Sequence, residues 1–215
     1  MNSKIVAYKF MSSEHVNGFM TKGILKLATA HELRKLEDEV GRRGDENELR
    51  QVWDAEGTHH LDKTHPVVTG LAGSLPPGPA PKVILQAGKN TVVNFTWDAF
   101  LYCASIEHTP ELAARMKAEF DADTCVKISD FAEFVRLISL HPELASNLRR
   151  AAVAQVQYVP SKRARKFEGL NPFEKEAGDY SWQKEIRGVF EMTPTPKVSK
   201  LIAVPSVVHL LRRET

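Results

Sequence analysis

The sequence predicts an α+β fold, as a single domain over residues 1–215 with a mixed, largely antiparallel sheet and flanking helices. Segments of alternating apolar and polar residues indicate strands, and segments with apolar residues at helical spacing indicate helices. The two kinds do not follow the regular strand–helix–strand repeat of a parallel sheet. The chain is 42% hydrophobic and 26% charged, which is ordinary for a globular protein and excludes a wholly disordered one.

The N-terminal part is predicted to run strand, helix, strand, helix. Residues 5–10 alternate and carry β-branched and aromatic side chains, which favours a strand. A short helix with a serine N-cap follows and ends at Gly23. A second strand over 24–29 and a helix over 31–40 complete this part.

Residues 57–81 are predicted to form an irregular or mobile insertion, because their prolines and glycines cannot hold a long helix. Candidate metal ligands in this insertion are His59, His60, Asp62 and His65. Their spacing fits neither a helix face nor a closed tetrahedral site. A solvated loop without a metal is therefore the favoured interpretation.

The rest of the chain is predicted to contain further strands and helices. The predicted strands are 82–86, 91–95, 99–105, 124–128, 153–159, 182–192 and 201–204, with a hairpin turn at 87–90 between the first two. The predicted helices are 109–120, 130–140, 144–149 and 207–213. One helix face should be buried because its spacing follows the helical period, namely Phe131, Phe134, Val135 and Ile138.

Composition and missing motifs exclude several classes of protein. No stretch approaches the roughly 20 apolar residues of a membrane span, and no secretory leader is evident, so a cytoplasmic protein without a membrane partner is expected. Two cysteines, Cys103 and Cys125, are too few for a disulfide framework. The glycine motifs of P-loop and dinucleotide-binding folds are absent, as is the serine-hydrolase elbow.

The residues around Glu185 are harder to explain by core packing. Period-two alternation on the predicted late strand puts Gln183, Glu185 and Arg187 on one face. This row of an amide, a carboxylate and a guanidinium suggests a functional face, and pairing of Glu185 with Arg187 on an exposed face is the alternative. Cys103 and Ser105 share a face of another predicted strand, where Ser105 could be no more than a strand-end hydroxyl.

Several short motifs resemble a widespread bacterial and phage-borne family that has no settled function. They are Tyr8-Lys9-Phe10, the strand at 25–27, residues 34–37, the acidic element at 43–48, Cys103-Ala104-Ser105 and Gln183-Lys184-Glu185-Ile186-Arg187. The resemblance covers most of the chain in outline and leaves out the proline-rich segment. It implies a role in bacterial or phage defence or counter-defence.

A looser similarity to ADP-ribosyltransferases implies a chemistry that uses NAD and an unknown acceptor. The residues that it assigns to NAD are Tyr8, Lys9 and Arg34. It implies Glu185 as the catalytic carboxylate, Gln183 as the amide that positions the acceptor, and Ser105 as the hydroxyl that orients Glu185. Loss of nicotinamide builds positive charge on the ribose, which a carboxylate beneath the ring stabilises. The arginine expected on the first strand of such enzymes is missing.

Two other functions stay open. A non-enzymatic binding module would contact nucleic acid or an acidic protein through a basic face, formed by Arg149, Arg150, Lys162, Arg163, Arg165 and Lys166. A solvated loop is the simpler explanation of that run of charges. Cleavage of nucleic acid by Asp45, Glu48 and Glu185 around a divalent ion would be the other function, although their spacing does not support it.

Overall fold

The computed structural model describes residues 4–33, 50–55, 57–61, 83–89, 92–96, 98–159, 163–164, 171–176 and 181–214. Its contacts group the chain into two compact units. Unit 1 comprises Met1–Glu48, Asp98–Pro160 and Pro172–Thr215, and unit 2 comprises Leu49–Trp97 and Ser161–Asn171. The single domain over residues 1–215 stays a prediction.

The strands are β1 (Ala7–Met11), β2 (Ile24–Thr29), β3 (Arg50–Asp54), β4 (Gly57–Leu61), β5 (Val83–Ala87), β6 (Val92–Thr96), β7 (Phe100–Ser105), β8 (Thr124–Ile128), β9 (Leu148–Gln155), β10 (Gln157–Val159), β11 (Arg163–Ala164), β12 (Glu174–Glu176), β13 (Glu185–Met192), β14 (Lys200–Ala203) and β15 (Leu211–Glu214). The helices are α1 (Ser13–Lys22), α2 (Pro110–Phe120), α3 (Phe131–Ser139) and α4 (Pro142–Ala145), with 3-10 turns at Ser181–Gln183 and Pro205–Leu210. No helix in these described ranges is both long and apolar enough to cross a membrane.

An eight-stranded antiparallel sheet forms the body of unit 1. Its main path runs β14-β2-β7-β1-β8-β15, and β13 lies between β7 and β9. Along one edge of β7, β13 pairs over the whole length of the strand. Two strands share its other edge: β2 pairs at Phe100 and Leu101, and β1 pairs at Ser105. The predicted α+β class with a largely antiparallel sheet is confirmed.

Helix α3 supplies the apolar layer beneath this sheet. Asp130 begins the helix by accepting a hydrogen bond from the Glu133 backbone N–H at 3.1 Å. The predicted buried face is confirmed, with exposed fractions of 0 to 2% for Phe131, Phe134, Val135 and Ile138. The ring of Phe134 lies 5.0 Å from that of Tyr102, which fixes the helix against β7.

The close approach of α3 to the sheet depends on Gly188 in β13. A Cβ atom at this position would lie 2.6 Å from Cγ2 of Val135, which is closer than carbon atoms pack. The absence of a side chain at Gly188 therefore allows the helix to lie directly on the strand.

The late strand is shorter than the sequence predicted. β13 begins at Glu185, residues Ser181–Gln183 form a 3-10 turn, and Lys184 has a positive φ of 47°. A left-handed residue ends the alternation of a strand. The prediction that Gln183 shares a strand face with Glu185 is therefore wrong.

The C-terminal prediction is also corrected. Residues 207–213 were expected to be helical, whereas a 3-10 turn ends at Leu210 and β15 pairs antiparallel with β8. A second correction concerns the end of α4, because β9 begins at Leu148 within the predicted helix 144–149. In both places the segment pairs with a neighbouring strand of unit 1, and local helix or strand propensity does not reveal that pairing.

Unit 2 contains a three-stranded sheet and a two-stranded sheet. β3 pairs with β6 and β11, and β4 pairs with β5, so the predicted hairpin of the strands now labelled β5 and β6 is wrong. The prediction that residues 57–81 are irregular is wrong for residues 57–61, which form β4 and pair with β5. Residues 62–81 of that prediction lie outside the described residues. Trp53 is buried, and its ring centroid lies 4.6 Å from that of His59.

Candidate functional site

Three residues singled out from the sequence lie in one row across adjacent strands of unit 1. In the ladder of β7 with β13, Ser105 is opposite Glu185, and in that of β7 with β1 it is opposite Tyr8. Directly opposed residues of antiparallel strands project to the same face of a sheet. Tyr8, Ser105 and Glu185 are hereafter called the strand row.

Glu185 and Arg187 form a buried ion pair on the same face. The Arg187 Nε atom donates to Oε1 of Glu185 at 2.7 Å, and Nη2 lies 3.4 Å from Oε2. Only 5% of Glu185 and none of Arg187 is exposed. The pairing of Glu185 with Arg187 that the sequence suggested is therefore present. The expectation that this pair lies on an exposed face is wrong, because both residues are buried.

The segment Pro172–Glu176, part of unit 1, covers this pair. Nη1 of Arg187 donates to the carbonyl oxygen of Pro172 at 3.0 Å. Nζ of Lys175 lies 3.6 Å from Oε2 of Glu185, and Lys175 is only 6% exposed. Glu185, Arg187 and Lys175 are called the buried ion cluster below. Sequence reasoning missed Lys175, because no local pattern links a short charged segment to a strand ten residues later.

The charges of the cluster settle the ionisation of Glu185. Burial by itself raises the pKa of Glu185, but the nearby charges of Arg187 and Lys175 and the hydrogen bond from Arg187 outweigh it and lower the pKa to about 2. Glu185 is therefore a carboxylate at neutral pH.

Two neighbours of Glu185 stay neutral. Burial, followed by the charge of Glu185, raises the pKa of the Cys103 thiol well above its usual value. Burial also raises the pKa of Tyr158 to about 12. Cys103 therefore has little of the thiolate character of a nucleophile.

Ser105 and Lys9 contact the backbone near the row. The Ser105 hydroxyl donates to the carbonyl of Lys184 at 3.5 Å and accepts from the Glu107 N–H at 3.2 Å. It therefore holds the turn that precedes Glu185, and the orienting role stays a prediction. The Lys9 ammonium donates to the Cys103 carbonyl at 2.8 Å, and burial lowers the pKa of Lys9.

The two cofactor contacts predicted on β1 therefore differ in position. Lys9 lies over the ring of Tyr102 at 5.0 Å, whereas Tyr8 belongs to the strand row on the opposite face. Alternation of side chains along a strand separates the two. Only Tyr8 shares the face of Glu185, and the third predicted contact, Arg34, lies outside the described residues.

Gln183 lies in the turn that precedes β13. The neighbouring Trp182 holds this turn against α2, because the Arg115 guanidinium lies 4.0 Å from its ring centroid and the Phe120 ring lies 6.1 Å from it. Gln183 is half-buried there. The structure therefore brings Tyr8, Ser105 and Glu185 together and leaves Gln183 off their row.

Only part of the predicted basic face is described. Arg149 and Arg150 are exposed on β9, and Nη1 of Arg150 lies 4.0 Å from Oε1 of Glu191. The side chains outside the described set are those of Lys162, Arg163, Arg165 and Lys166.

Of the acidic residues and histidines considered as candidate metal ligands, only some lie in the described ranges. Asp45, Glu48, Asp62 and His65 lie outside the described residues, and His59 and His60 lie on β4. Within the described ranges, no three acidic, histidine or cysteine side chains are grouped so as to hold a metal ion.

Comparison with protein families, curated proteins and solved structures finds no match to this chain.

Proposed function

We propose that the protein is an ADP-ribosyltransferase-like enzyme that takes NAD as its substrate, in a bacterial or phage defence or counter-defence setting. The strand row carries this proposal. Tyr8, Ser105 and Glu185 occupy neighbouring strands and share one face, which is part of the arrangement that the resemblance implies. Gln183 lies in the preceding turn and Lys9 on the opposite face of the sheet. Glu185 supplies the single carboxylate of the row, and its pKa of about 2 keeps it ionised without a separate deprotonation step.

In the proposed reaction, the bond between ribose C1′ and the nicotinamide nitrogen breaks, and its electron pair leaves with nicotinamide. The acceptor forms a new bond to C1′ and releases a proton to solvent. Positive charge develops on the ribose in between, and a fixed carboxylate stabilises that charge electrostatically. Glu185 is assigned this role, with Tyr8 as a contact of the bound dinucleotide.

The two oxygens of Glu185 differ in how they are held. Among the described residues, Oε1 has the short contact of 2.7 Å with Arg187, whereas the contacts of Oε2 are longer, 3.4 Å with Arg187 and 3.6 Å with Lys175. The proposal therefore assigns the ribose to Oε2. Because Lys175 covers this oxygen, NAD must displace the Lys175 side chain to reach it.

A second candidate is a non-enzymatic binding module that contacts nucleic acid or an acidic protein through its basic face. The burial of Glu185 favours it, since a carboxylate 5% exposed and bound on both oxygens is typical of a structural ion cluster. Arg149 and Arg150 are exposed and available for phosphate contacts. Under this alternative, Glu185 and Arg187 serve only to fix β13.

NAD turnover tests the enzymatic proposal. We expect NAD to raise the melting temperature and to be cleaved to free nicotinamide, and Glu185→Gln to lower the rate by about 10²–10³. Glu191→Gln is the matched control, because Glu191 lies on the same face of β13 and is half-buried. Circular dichroism at the assay temperature establishes that each variant is folded. Tyr8→Leu, which leaves the ion cluster intact, provides a second variant and should weaken NAD binding.

Failure of wild-type protein to bind or cleave NAD would contradict the enzymatic proposal. The binding-module candidate then predicts that a fluorescent oligonucleotide or a polyglutamate peptide binds with strong salt dependence. Arg149→Ala with Arg150→Ala should weaken that binding, and Lys26→Ala, an exposed lysine on β2, should not.

A further inference from the structure

A cleft in unit 1 lies between helix α2 and the large sheet, next to strands β1 and β8. Its volume is about 590 Å³. Ala114 and Lys117, three residues apart on α2, form one wall, and Phe10 and Cys125 on the strands face it. The alanines of α2 leave the space open, because a methyl side chain does not reach the sheet. Tyr8, Ser105 and Glu185 do not line this cleft.

One end of the cleft is aromatic. The His108 ring stacks on the Tyr8 ring with centroids 5.5 Å apart and an angle of 21° between the planes. The same ring lies 5.8 Å from that of Phe10. His108 and Phe10 both line the cleft, so they offer ring surface to a planar ligand.

Four charged residues line the cleft, and its two carboxylates are already satisfied. Asp123 accepts hydrogen bonds from the backbone N–H and the hydroxyl of Ser13 at 2.7 and 3.0 Å, which lower the pKa of Asp123. Glu214 lies 3.5 Å from Nζ of Lys127. Lys117 and Arg213 are exposed and form no ion pair within the described part of the chain. The unpaired charge of the cleft is therefore positive.

We infer that this cleft binds a planar aromatic ligand that bears an anionic group, of the class of a nucleoside monophosphate. The aromatic wall takes the ring, and the unpaired cations take the anionic group. The volume of about 590 Å³ is within the usual range of small-molecule sites, which is about 300–1,000 Å³. The inference stands apart from the proposed NAD reaction, because no residue of the strand row lines the cleft, and Tyr8 contributes only by stacking on His108.

Isothermal titration with AMP, adenosine and inorganic phosphate tests this inference on the full chain. AMP should bind, and adenosine and phosphate should each bind at least about tenfold more weakly, since each has only half of the recognised chemistry. Lys117→Ala should weaken AMP binding about tenfold, because it removes a charge-assisted contact. Lys26→Ala removes an equally exposed lysine from β2 and should leave the affinity unchanged.

Ala114→Trp provides a second variant, which fills the cleft from the exposed surface of α2 and should abolish AMP binding. If it does not fold, Lys117→Ala still decides the question. An AMP affinity that Lys117→Ala leaves unchanged would place the ligand elsewhere, for example at the strand row, and would overturn the inference. Phosphate binding as tight as that of AMP, or no detectable AMP binding, would overturn it as well.

Discussion

On one face of β13, Ile186, Gly188 and Phe190 pack against α3 and the apolar core, whereas on the other face Glu185 and Arg187 belong to the buried ion cluster. Both faces are buried, so exposure does not distinguish them. The apolar face is stabilised by the hydrophobic effect, which depends on the apolar area removed from water and not on the direction of individual contacts. The charged face depends on paired partners, because a buried charge without one is costly. Substitutions on the two faces should therefore destabilise the protein for different physical reasons.

The largest expected effect is on the charged face. Arg187→Met should lower the free energy of unfolding by about 3–5 kcal/mol, because it removes the shortest contact of the buried Glu185 and leaves the longer contact of 3.6 Å to Lys175. Urea denaturation followed by circular dichroism measures this change. The double variant Arg187→Met with Glu185→Leu should recover much of the loss, since it removes both charges. A double variant as unstable as the sum of the two single variants would contradict the comparison.

Acid should weaken the charged face selectively. The pKa of Glu185 is about 2 in the folded protein, below the usual value of about 4.3 for an unfolded chain. A lowered pKa contributes stability that is present above the unfolded value and is lost as the pH falls towards 2, on the order of 3 kcal/mol. Urea midpoints at about pH 7 and about pH 3 should differ less in Glu185→Gln than in the wild type. An equal difference would show that other groups dominate.

The apolar face should respond to volume. Gly188→Ala should destabilise the protein by about 1–3 kcal/mol, because the new Cβ would meet Cγ2 of Val135 at 2.6 Å. Combining it with Val135→Ala should cost less than the sum of the two changes, since the shortened side chain makes room. Additive losses in the thermal or urea midpoint would mean that another contact excludes the methyl group.

The smallest effect is expected at the far end of the charged face. Glu191→Gln should change the free energy of unfolding by under about 1 kcal/mol, because its partner Arg150 is 69% exposed and lies at 4.0 Å. A change as large as that of Arg187→Met would show that position along β13, and not burial of the charge, controls the effect.

The apolar face could be predicted from sequence more readily than the charged one. The helical spacing of Phe131 and Phe134 is a local pattern, and it correctly predicted the buried side of α3. The placement of Gln183 failed because Lys184 adopts a left-handed conformation without a glycine to signal it. Contacts of Trp182 with α2, distant in sequence, accompany that turn.

The candidate site was predicted in part. The resemblance implied that Ser105 lies beside Glu185, and the register of β7 with β13 has them opposite each other. Lys175 and the cleft beside α2 depend on tertiary packing, which leaves no spacing pattern in the chain. The predicted roles of Ser105 and Glu185 stay predictions for the assays above.

The two ends of the main strand path are both supplied by residues 200–214, since β14 pairs with β2 and β15 pairs with β8. During translation, β2 and β8 therefore remain with one open edge each until this late segment has left the ribosome. Open strand edges template association between nascent chains, and pairings so distant in sequence form slowly. The strand order itself therefore predicts that nascent chains associate through β2 and β8 more readily than through the paired strands between them.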